Sequence, residues 1–183
     1  MNNKTSKLTS PKGVLFDFDG VIVDSFDSHY GAWSSAFHEL FGVEISEFPH
    51  TLAGSSPKLI AKHFCNVIGK ENQAEKLYFL KDKHLDENFL DENFTPPKLL
   101  PGVNEVAAFL KKRNIPYGIA SNATKLFLKN SIKHLKIDFP TAFGLQDFTK
   151  PKPDPEAYIT LAKALGFSAV SYTHLTLPTI CSV

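Results

Sequence analysis

Short apolar runs alternate with stretches of helical periodicity over most of the chain. Three runs, at residues 13–18, 115–120 and 142–145, lack the polar–apolar alternation of a half-exposed strand. Such runs are typical of strands that are buried on both faces of a parallel sheet. Apolar residues recur at three- and four-residue steps in segments that we predict to be helices, at residues 24–41, 103–112, 124–135 and 154–165. The order of strands and helices indicates parallel βαβ units and the α/β class.

The middle of the chain has a helical pattern. Residues 57–68 and 71–89 show helical periodicity, and Thr95-Pro96-Pro97 ends this region. Pro57 directly after Ser56 is typical of the first turn of a helix. Because this region separates the first strand from the later strand–helix units, we expect an α/β core with a helical insertion after the first strand.

Composition and charge exclude several classes of protein. The formal net charge of +1 gives no general attraction to nucleic acid or to an anionic membrane, and no apolar run is long enough to span a bilayer. Cys65 and Cys181 lie far apart, which argues against a disulfide framework and a cysteine zinc site. We expect a cytoplasmic protein with no nucleic-acid or membrane partner. Residues 1–12 lack the apolar segment of a secretory signal and are predicted to form a flexible tail.

Two carboxylates follow the first predicted strand. Asp17 and Asp19 are two residues apart, so their side chains can point to the same side. Ligands of open α/β sheets bind at the carboxyl ends of the strands, where this pair would lie. Two neighbouring carboxylates repel each other unless a cation or a proton lies between them, and Mg²⁺ suits such an oxygen-rich site. Gly20 would allow the backbone to approach a phosphate closely.

Polar groups also follow the second predicted strand. Ser121 and Asn122 offer a hydroxyl and an amide that can hydrogen-bond phosphate oxygens, and the helix that starts near Ala123 adds backbone N–H groups. Lys150, in the proline-rich loop at 150–155, is a cation that can neutralise phosphate charge. The sequence thus predicts that an acid pair, a hydroxyl, a helix N-terminus and a lysine meet at one edge of the sheet.

Three segments resemble the motifs of a known family. VLFDFDGVIVDS at 14–25, GIASN at 118–122 and KPKPDP at 150–155 are similar, in order and spacing, to the first three motifs of the haloacid-dehalogenase-like (HAD) hydrolase superfamily. The resemblance implies a Rossmann-like parallel sheet core formed by residues 13–24 and 98–168. It also implies a helical cap domain, inserted at 25–97, that closes over the site.

The same resemblance implies roles for the site residues. Asp17 would be the nucleophile that forms an aspartyl-phosphate, and Asp19 would protonate the leaving group and then activate water. Ser121 would bind the phosphate. Lys150 would orient and screen Asp17, and it is preferred to Lys152 because it precedes Pro-x-Pro-Asp. Mg²⁺ would be held by the Asp17 carboxylate and the backbone carbonyl of Asp19.

The predicted cap resembles the branch of β-phosphoglucomutase and sugar phosphatases. His29 and Trp33 carry part of this similarity, and we expect His29 to contact substrate. LAGSSP at 52–57 resembles the specificity loop of that branch, which would bring Gly54 and Ser55 to the substrate.

That loop departs from the mutase pattern at two positions. Ala53 and Pro57 stand where the mutase has a lysine and an arginine. A mutase must hold a second phosphate on its intermediate, so the loss of both cations favours a monophosphatase.

The C-terminal region also departs from the family. The family has a fourth motif, an acidic pair that completes the Mg²⁺ site, but no Asp or Glu follows Glu156 here. Residues 169–183 resemble translated adaptor or vector sequence, so we expect a non-native tail after Ser168 and an incomplete core. Residues 170–173 can still fill the place of a fourth strand, without a carboxylate. We therefore expect weak Mg²⁺ binding and slow turnover.

The function predicted from the sequence is a Mg²⁺-dependent phosphatase that acts on a small phosphorylated metabolite, such as a sugar phosphate or phosphoglycolate. Two alternatives stay open: a β-phosphoglucomutase-like phosphomutase, and a non-catalytic truncated product. The chain lacks the GxxxxGK[ST] of a P-loop, and its first strand ends in DFDG rather than GxGxxG. The sequence indicates no particular oligomeric state.

Overall fold

The fold is built on a four-stranded parallel sheet. The computed structural model describes residues 11–45, 47–49, 52, 56–87, 89 and 94–167, and the backbone of 173–175. The strands of the described residues are β1 (Val14–Phe16), β2 (Val23–Asp24), β3 (Lys98–Leu99), β4 (Tyr117–Ala120), β5 (Ala142–Phe143) and β6 (Thr173–Leu175). The large sheet has the order β5-β4-β1-β6, and its neighbouring strands are parallel. The predicted α/β class and Rossmann-like parallel sheet are confirmed.

The predicted helical segments correspond to observed helices. Among the described residues the α-helices are α1 (Phe26–Phe41), α2 (Pro57–Val67), α3 (Ala74–Glu87), α4 (Val103–Lys112), α5 (Lys125–Leu135) and α6 (Glu156–Ala164). Pro57 opens α2, and the Ser56 hydroxyl accepts a hydrogen bond from the backbone N–H of Leu59 at 3.4 Å, as expected for an N-cap. Of the described helices, none has the length and apolar character needed to cross a bilayer.

The helices α1, α2 and α3 form an insertion in the chain between β2 and β3. These two short strands connect the insertion to the core, and we call them the neck. In the neck β2 pairs antiparallel with β3, with Val23 opposite Leu99. The buried Ser28 hydroxyl, in the first turn of α1, donates a hydrogen bond to the backbone carbonyl of Thr95 at 2.7 Å. This neck fixes the start of α1 close to the end of β1, where the acid pair lies.

The core packs on both faces of the sheet, because successive side chains of β1 point to opposite sides. Phe16 lies in a cluster with the apolar faces of α4 and α5, whereas Leu15 lies in a separate cluster with Leu161 of α6. Burial of one such side chain contributes about 1.5–3 kcal/mol. Gly118 of β4 is packed closely, since a Cβ at this position would lie 2.8 Å from both Leu161 Cδ1 and the Thr141 carbonyl oxygen.

The insertion has a hydrophobic cluster of its own. Trp33 and Phe37 of α1 pack with Phe64 of α2 and Leu77 of α3, and each of these residues is buried. This separate core lets the three helices hold together as a unit attached by the neck.

The fourth place in the sheet is taken by β6, which pairs parallel with β1 so that Val14 lies opposite Thr173. The sequence allowed a strand here at 170–173; the observed strand begins at Thr173, and residues 168–172 lie outside the described residues. The predicted domain boundaries, including the non-native tail, stay predictions.

Candidate active site

The carboxyl ends of β1 and β4 bring the predicted polar residues together. Asp17 directly follows β1, and Ser121 directly follows β4, its parallel neighbour. The buried Ser121 hydroxyl donates to Asp19 Oδ2 at 3.2 Å, and its oxygen accepts from the backbone N–H of Ala123 at 2.9 Å. Three of the predicted site residues therefore share one edge of the sheet.

Asp17 is held by a lysine. Lys152 Nζ donates to Asp17 Oδ1 at 2.5 Å and to the Ala120 carbonyl at 3.2 Å. The backbone N–H of Phe18 also donates to Asp17 Oδ1, at 2.7 Å. Both bonds to the Asp17 carboxylate fall on Oδ1, and the lysine bond is charge-assisted. The carboxylate is thus fixed in orientation by one of its oxygens.

The prediction that Lys150 contacts Asp17 is wrong, because Lys152 makes this contact. The Lys150 side chain is 71% exposed, and its Nζ lies 3.9 Å from Asp154. Its backbone N–H donates to Glu156 Oε2 at 2.9 Å, which anchors this end of the loop against the start of α6. The chain has two Lys-Pro pairs, at 150–151 and 152–153. The lysine of the second pair contacts Asp17, not the lysine that precedes Pro-x-Pro-Asp. The repeat itself was the signal that Lys152 was an equal candidate.

The aromatic ring of Tyr158 lies beside the Lys152 ammonium group. Lys152 Nζ lies 5.6 Å from the centre of the Tyr158 ring, a cation–π contact. Burial, and then the charge of Asp17, raise the pKa of Tyr158 to about 12. The tyrosine is neutral at physiological pH and therefore adds no negative charge beside Lys152 and Asp17.

Asn122 lies beside Ser121 but contacts Lys152. Its Nδ2 donates to the Lys152 carbonyl at 3.0 Å, and its Oδ1 accepts from the Lys152 backbone N–H at 2.8 Å. Both ends of the amide are engaged by the loop. The predicted contact of Asn122 with substrate stays a prediction.

Asp19 is the most tightly held carboxylate of the site. Besides the bond from Ser121, Asp19 Oδ1 accepts a bond from the Ser25 hydroxyl at 2.7 Å and lies 3.3 Å from His29 Nε2. Ser25 and His29 are four residues apart at the start of α1, so they present side chains to the same side. His29 lies at the site, and its predicted contact with substrate stays a prediction; the contact of Ser25 had not been predicted. The sequence feature that pointed to Ser25 was its position at the end of the VLFDFDGVIVDS motif.

The surroundings of Asp19 favour its ionised form. Burial raises the pKa of Asp19, but the hydrogen bond and charge of His29, the Ser25 hydroxyl and the charge of Lys152 outweigh burial and lower that pKa to about 2. Asp19 is thus a carboxylate at neutral pH.

Gly20 forms the turn that follows the acid pair. It adopts φ of 75°, and a Cβ there would meet no atom within 4 Å. Its N–H donates to the Val23 carbonyl at 2.7 Å. Glycine is favoured by the left-handed backbone at this position, and the open side leaves room for a ligand. Two other predicted site residues, Gly54 and Ser55, lie outside the described residues.

The donor set fits Mg²⁺ only in part. Among the described side chains there is no group of three or more His, Cys, Asp or Glu that could hold a metal ion. The Asp17 carboxylate and the backbone carbonyl of Asp19 are oxygen ligands of the kind that Mg²⁺ takes, and this ion commonly keeps water and phosphate as its other ligands. The described residues therefore offer the beginning of a magnesium site.

Comparison with known proteins now identifies the family. The family model described as haloacid dehalogenase-like hydrolase matches residues 11–173. This match covers most of the chain and includes the acid pair, Ser121 and Lys152. The chain belongs to the haloacid dehalogenase-like hydrolases, and it is an enzyme of that family.

Relatives agree with the predicted branch. The chain is 31% identical over 163 residues to β-phosphoglucomutase of Bacillus subtilis (strain 168), covering 86% of this chain and 71% of that protein. It is 29% identical over 160 residues to hexitol phosphatase A of Escherichia coli (strain K12), covering 86% and 70%. The crystal structure of β-phosphoglucomutase from Clostridium difficile superimposes with a TM-score of 0.64 at 25% identity, covering 85% of this chain and 71% of that one. The chain thus resembles both phosphatases and phosphomutases.

Proposed function

We propose that this chain is a phosphatase that hydrolyses a small phosphomonoester through an aspartyl-phosphate on Asp17. The observation that carries the proposal is the contact of Lys152 with Asp17 beside Asp19 and Ser121. A nucleophilic carboxylate, a cation and a hydroxyl within one strand-end cluster are the groups that phosphoryl transfer requires.

In the first step Asp17 Oδ2 attacks the phosphorus, since Oδ1 already accepts bonds from Lys152 and Phe18. The new Oδ2–P bond forms as the P–O bond to the leaving alcohol breaks, and the alcohol oxygen takes a proton from Asp19. Asp19 is ionised in the ligand-free protein and takes up this proton from solvent as the phosphate binds, because the neighbouring like charge disfavours the carboxylate and raises the pKa of Asp19.

In the second step the ionised Asp19 accepts a proton from a water molecule. The resulting hydroxide attacks the phosphorus of the aspartyl-phosphate, the Oδ2–P bond breaks, and inorganic phosphate and free Asp17 result. Lys152 and the Ser121 hydroxyl offset the negative charge on the phosphoryl oxygens in both steps.

The proposed metal is Mg²⁺, held by the Asp17 carboxylate and the backbone carbonyl of Asp19. It would supply positive charge against the phosphate as the two anions approach each other. Because no acid follows Glu156 in the sequence, we expect this chain to bind Mg²⁺ weakly and to turn over slowly.

We assign the inserted helices, residues 25–97, the role of a cap that excludes water while the phosphoryl group is transferred. Ser25 and His29 support this role, because the N-cap and the first turn of α1 bring these two side chains to Asp19. The proposed substrate is a free sugar phosphate or a similarly small phosphate ester in the cytoplasm, with no nucleic-acid or membrane partner.

A phosphomutase is the second candidate, and the 31% identity to a β-phosphoglucomutase favours it. Against it, Ala53 and Pro57 supply no cation for a second phosphate. A requirement for a sugar bisphosphate activator would support the mutase.

The test is phosphate release from p-nitrophenyl phosphate, hexitol phosphates, glucose phosphates and phosphoglycolate in the presence of Mg²⁺. We expect Asp17→Asn to abolish release. The control Asp138→Asn, which removes a surface partner of Lys111, should leave release unchanged. Release that persists in Asp17→Asn would overturn the proposal.

A further inference from the structure

The amide of Asn122 and the backbone of Lys152 form a reciprocal pair. Asn122 Nδ2 donates to the Lys152 carbonyl at 3.0 Å, and the Lys152 N–H donates to Asn122 Oδ1 at 2.8 Å. One side chain thus satisfies both backbone groups of a single residue that lies in a loop without regular structure. Such loop groups need partners if the loop is to keep one conformation.

The pair acts on the residue that contacts Asp17. A lysine side chain is flexible and carries about 2 kcal/mol of rotamer entropy, so its ammonium is placed accurately only when its backbone is also held. Glu156 anchors the neighbouring residue Lys150, and Asn122 anchors Lys152 itself. Asn122 also follows Ser121 directly, so the loop is tied to the strand end that carries the Ser121 hydroxyl, the group that the proposed function assigns to the phosphate.

We propose that Asn122 is a positioning residue that fixes Lys152 against Asp17 rather than a ligand of the phosphate. Its kinetic consequence rests on the proposed function, whereas its structural consequence does not. A group that places a catalytic cation lowers kcat when it is lost, while a phosphate ligand raises KM and weakens inhibition by inorganic phosphate.

The kinetic test is a double-mutant cycle on Asn122 and Lys152. We expect Asn122→Ala to lower kcat about 10- to 100-fold, as for small misplacements of catalytic groups, with little change in KM or in the inhibition constant of inorganic phosphate. In a Lys152→Ala background the same change should cost almost nothing, because the group that it positions is gone. Equal losses in both backgrounds, or a loss confined to KM, would overturn the proposal.

Two further variants test the role of the Asn122 amide and provide a control. Asn122→Asp is isosteric and keeps the acceptor for the Lys152 N–H, but it sets a carboxylate oxygen against the Lys152 carbonyl oxygen, so we expect a loss of kcat at least as large as in Asn122→Ala. It also serves if Asn122→Ala does not fold. Gln146→Ala removes another side-chain amide that binds a backbone N–H, that of Lys125 at 2.7 Å, and should leave kcat within about threefold.

A readout without turnover separates this proposal from the proposed function. Amide hydrogen exchange at Lys152 should be slowed in the unchanged protein and should accelerate in Asn122→Ala, while exchange at Leu128 within α5 stays the same. If turnover is absent or does not depend on Asp17, the proposed function fails, and the exchange result still decides on the pair. Unchanged exchange at Lys152 would refute the positioning role.

Discussion

Lys152 Nζ lies 2.5 Å from Asp17 Oδ1, although Lys152 and Asp17 are far apart in sequence and Lys150 has the same local Lys-Pro pattern. The Lys152 side chain is 16% exposed, whereas that of Lys150 is 71% exposed. Burial and contact with Asp17 thus distinguish two lysines that the motif alone does not.

The first prediction follows from this difference. Lys152→Ala should lower kcat/KM about 10²- to 10³-fold, the usual cost of losing one preorganised charge partner. Lys150→Ala should stay within about threefold, since an exposed ion pair contributes about 0–1 kcal/mol. Steady-state phosphate release from the two variants, compared side by side, checks this. Similar losses in both would contradict the assignment.

The fold was predictable because its elements are marked by local pattern. Apolar runs at 13–18 and 115–120 correspond to buried parallel strands, and their carboxyl ends had to meet. Asp17, Asp19 and Ser121 could therefore be predicted from the sequence alone to lie together. These predictions depended only on periodicity and on the geometry of parallel sheets.

The remaining parts of the site depend on tertiary contacts that the local pattern of the sequence does not specify. Lys152 contacts Asp17 because Glu156 and Asn122 bind the backbone of the loop at Lys150 and Lys152. The sequence KPKPDP alone does not predict either of these binding partners. The contact of Ser25 with Asp19 requires the angle at which α1 leaves the neck. Sequence periodicity predicts that a helix exists but not its direction.

Ser25 and Ser28 offer a matched pair for the second prediction. Both are buried, and each donates one bond of 2.7 Å, Ser25 to Asp19 and Ser28 to the Thr95 carbonyl in the neck. Ser25→Ala should raise the pKa of Asp19, because it removes a hydrogen bond that favours the carboxylate. Ser28→Ala should instead cost about 1–3 kcal/mol of stability.

The measurements are a carbon-13 titration of the Asp19 carboxyl and urea unfolding of both variants. The prediction requires a raised Asp19 pKa in Ser25→Ala and no shift in Ser28→Ala. If both variants shift it equally, the effect belongs to the position of α1 and not to the Ser25 hydroxyl.

The third prediction concerns the metal. Because the described donor set contributes so few anions, turnover should require Mg²⁺ far above the concentration of protein and should stop when EDTA is added. An activation titration with MgCl₂ after chelation measures this. Saturation at stoichiometric Mg²⁺ would contradict the partial site. Turnover that is unaffected by EDTA would contradict the metal requirement itself.

Two glycines give the fourth prediction, on stability. Gly118→Ala should cost about 1–3 kcal/mol, because the added Cβ would lie 2.8 Å from the Thr141 carbonyl oxygen, a backbone atom that cannot easily move. Gly31→Ala, in the exposed middle of α1 with no atom within 4 Å of its Cβ, should gain up to about 1 kcal/mol from helix propensity. Urea unfolding compares both with the unchanged protein. A stable Gly118→Ala would show that β4 is less tightly packed.

The fifth prediction concerns acid and the loop that carries Lys152. The backbone N–H and the hydroxyl of Thr149, followed by the backbone N–H of Lys150, donate to Glu156 and lower its pKa. A lowered folded-state pKa means that the unfolded chain binds the proton more tightly. The stabilisation is therefore present above the unfolded value of about 4.3 and is lost as the pH falls through the folded pKa. Urea unfolding of the unchanged protein and of Glu156→Gln should differ at pH 6, and the difference should shrink on acidification. The exposed Glu105→Gln of α4 serves as the control, and a difference for Glu156→Gln that stays constant with pH would remove Glu156 as the acid-sensitive anchor of the loop.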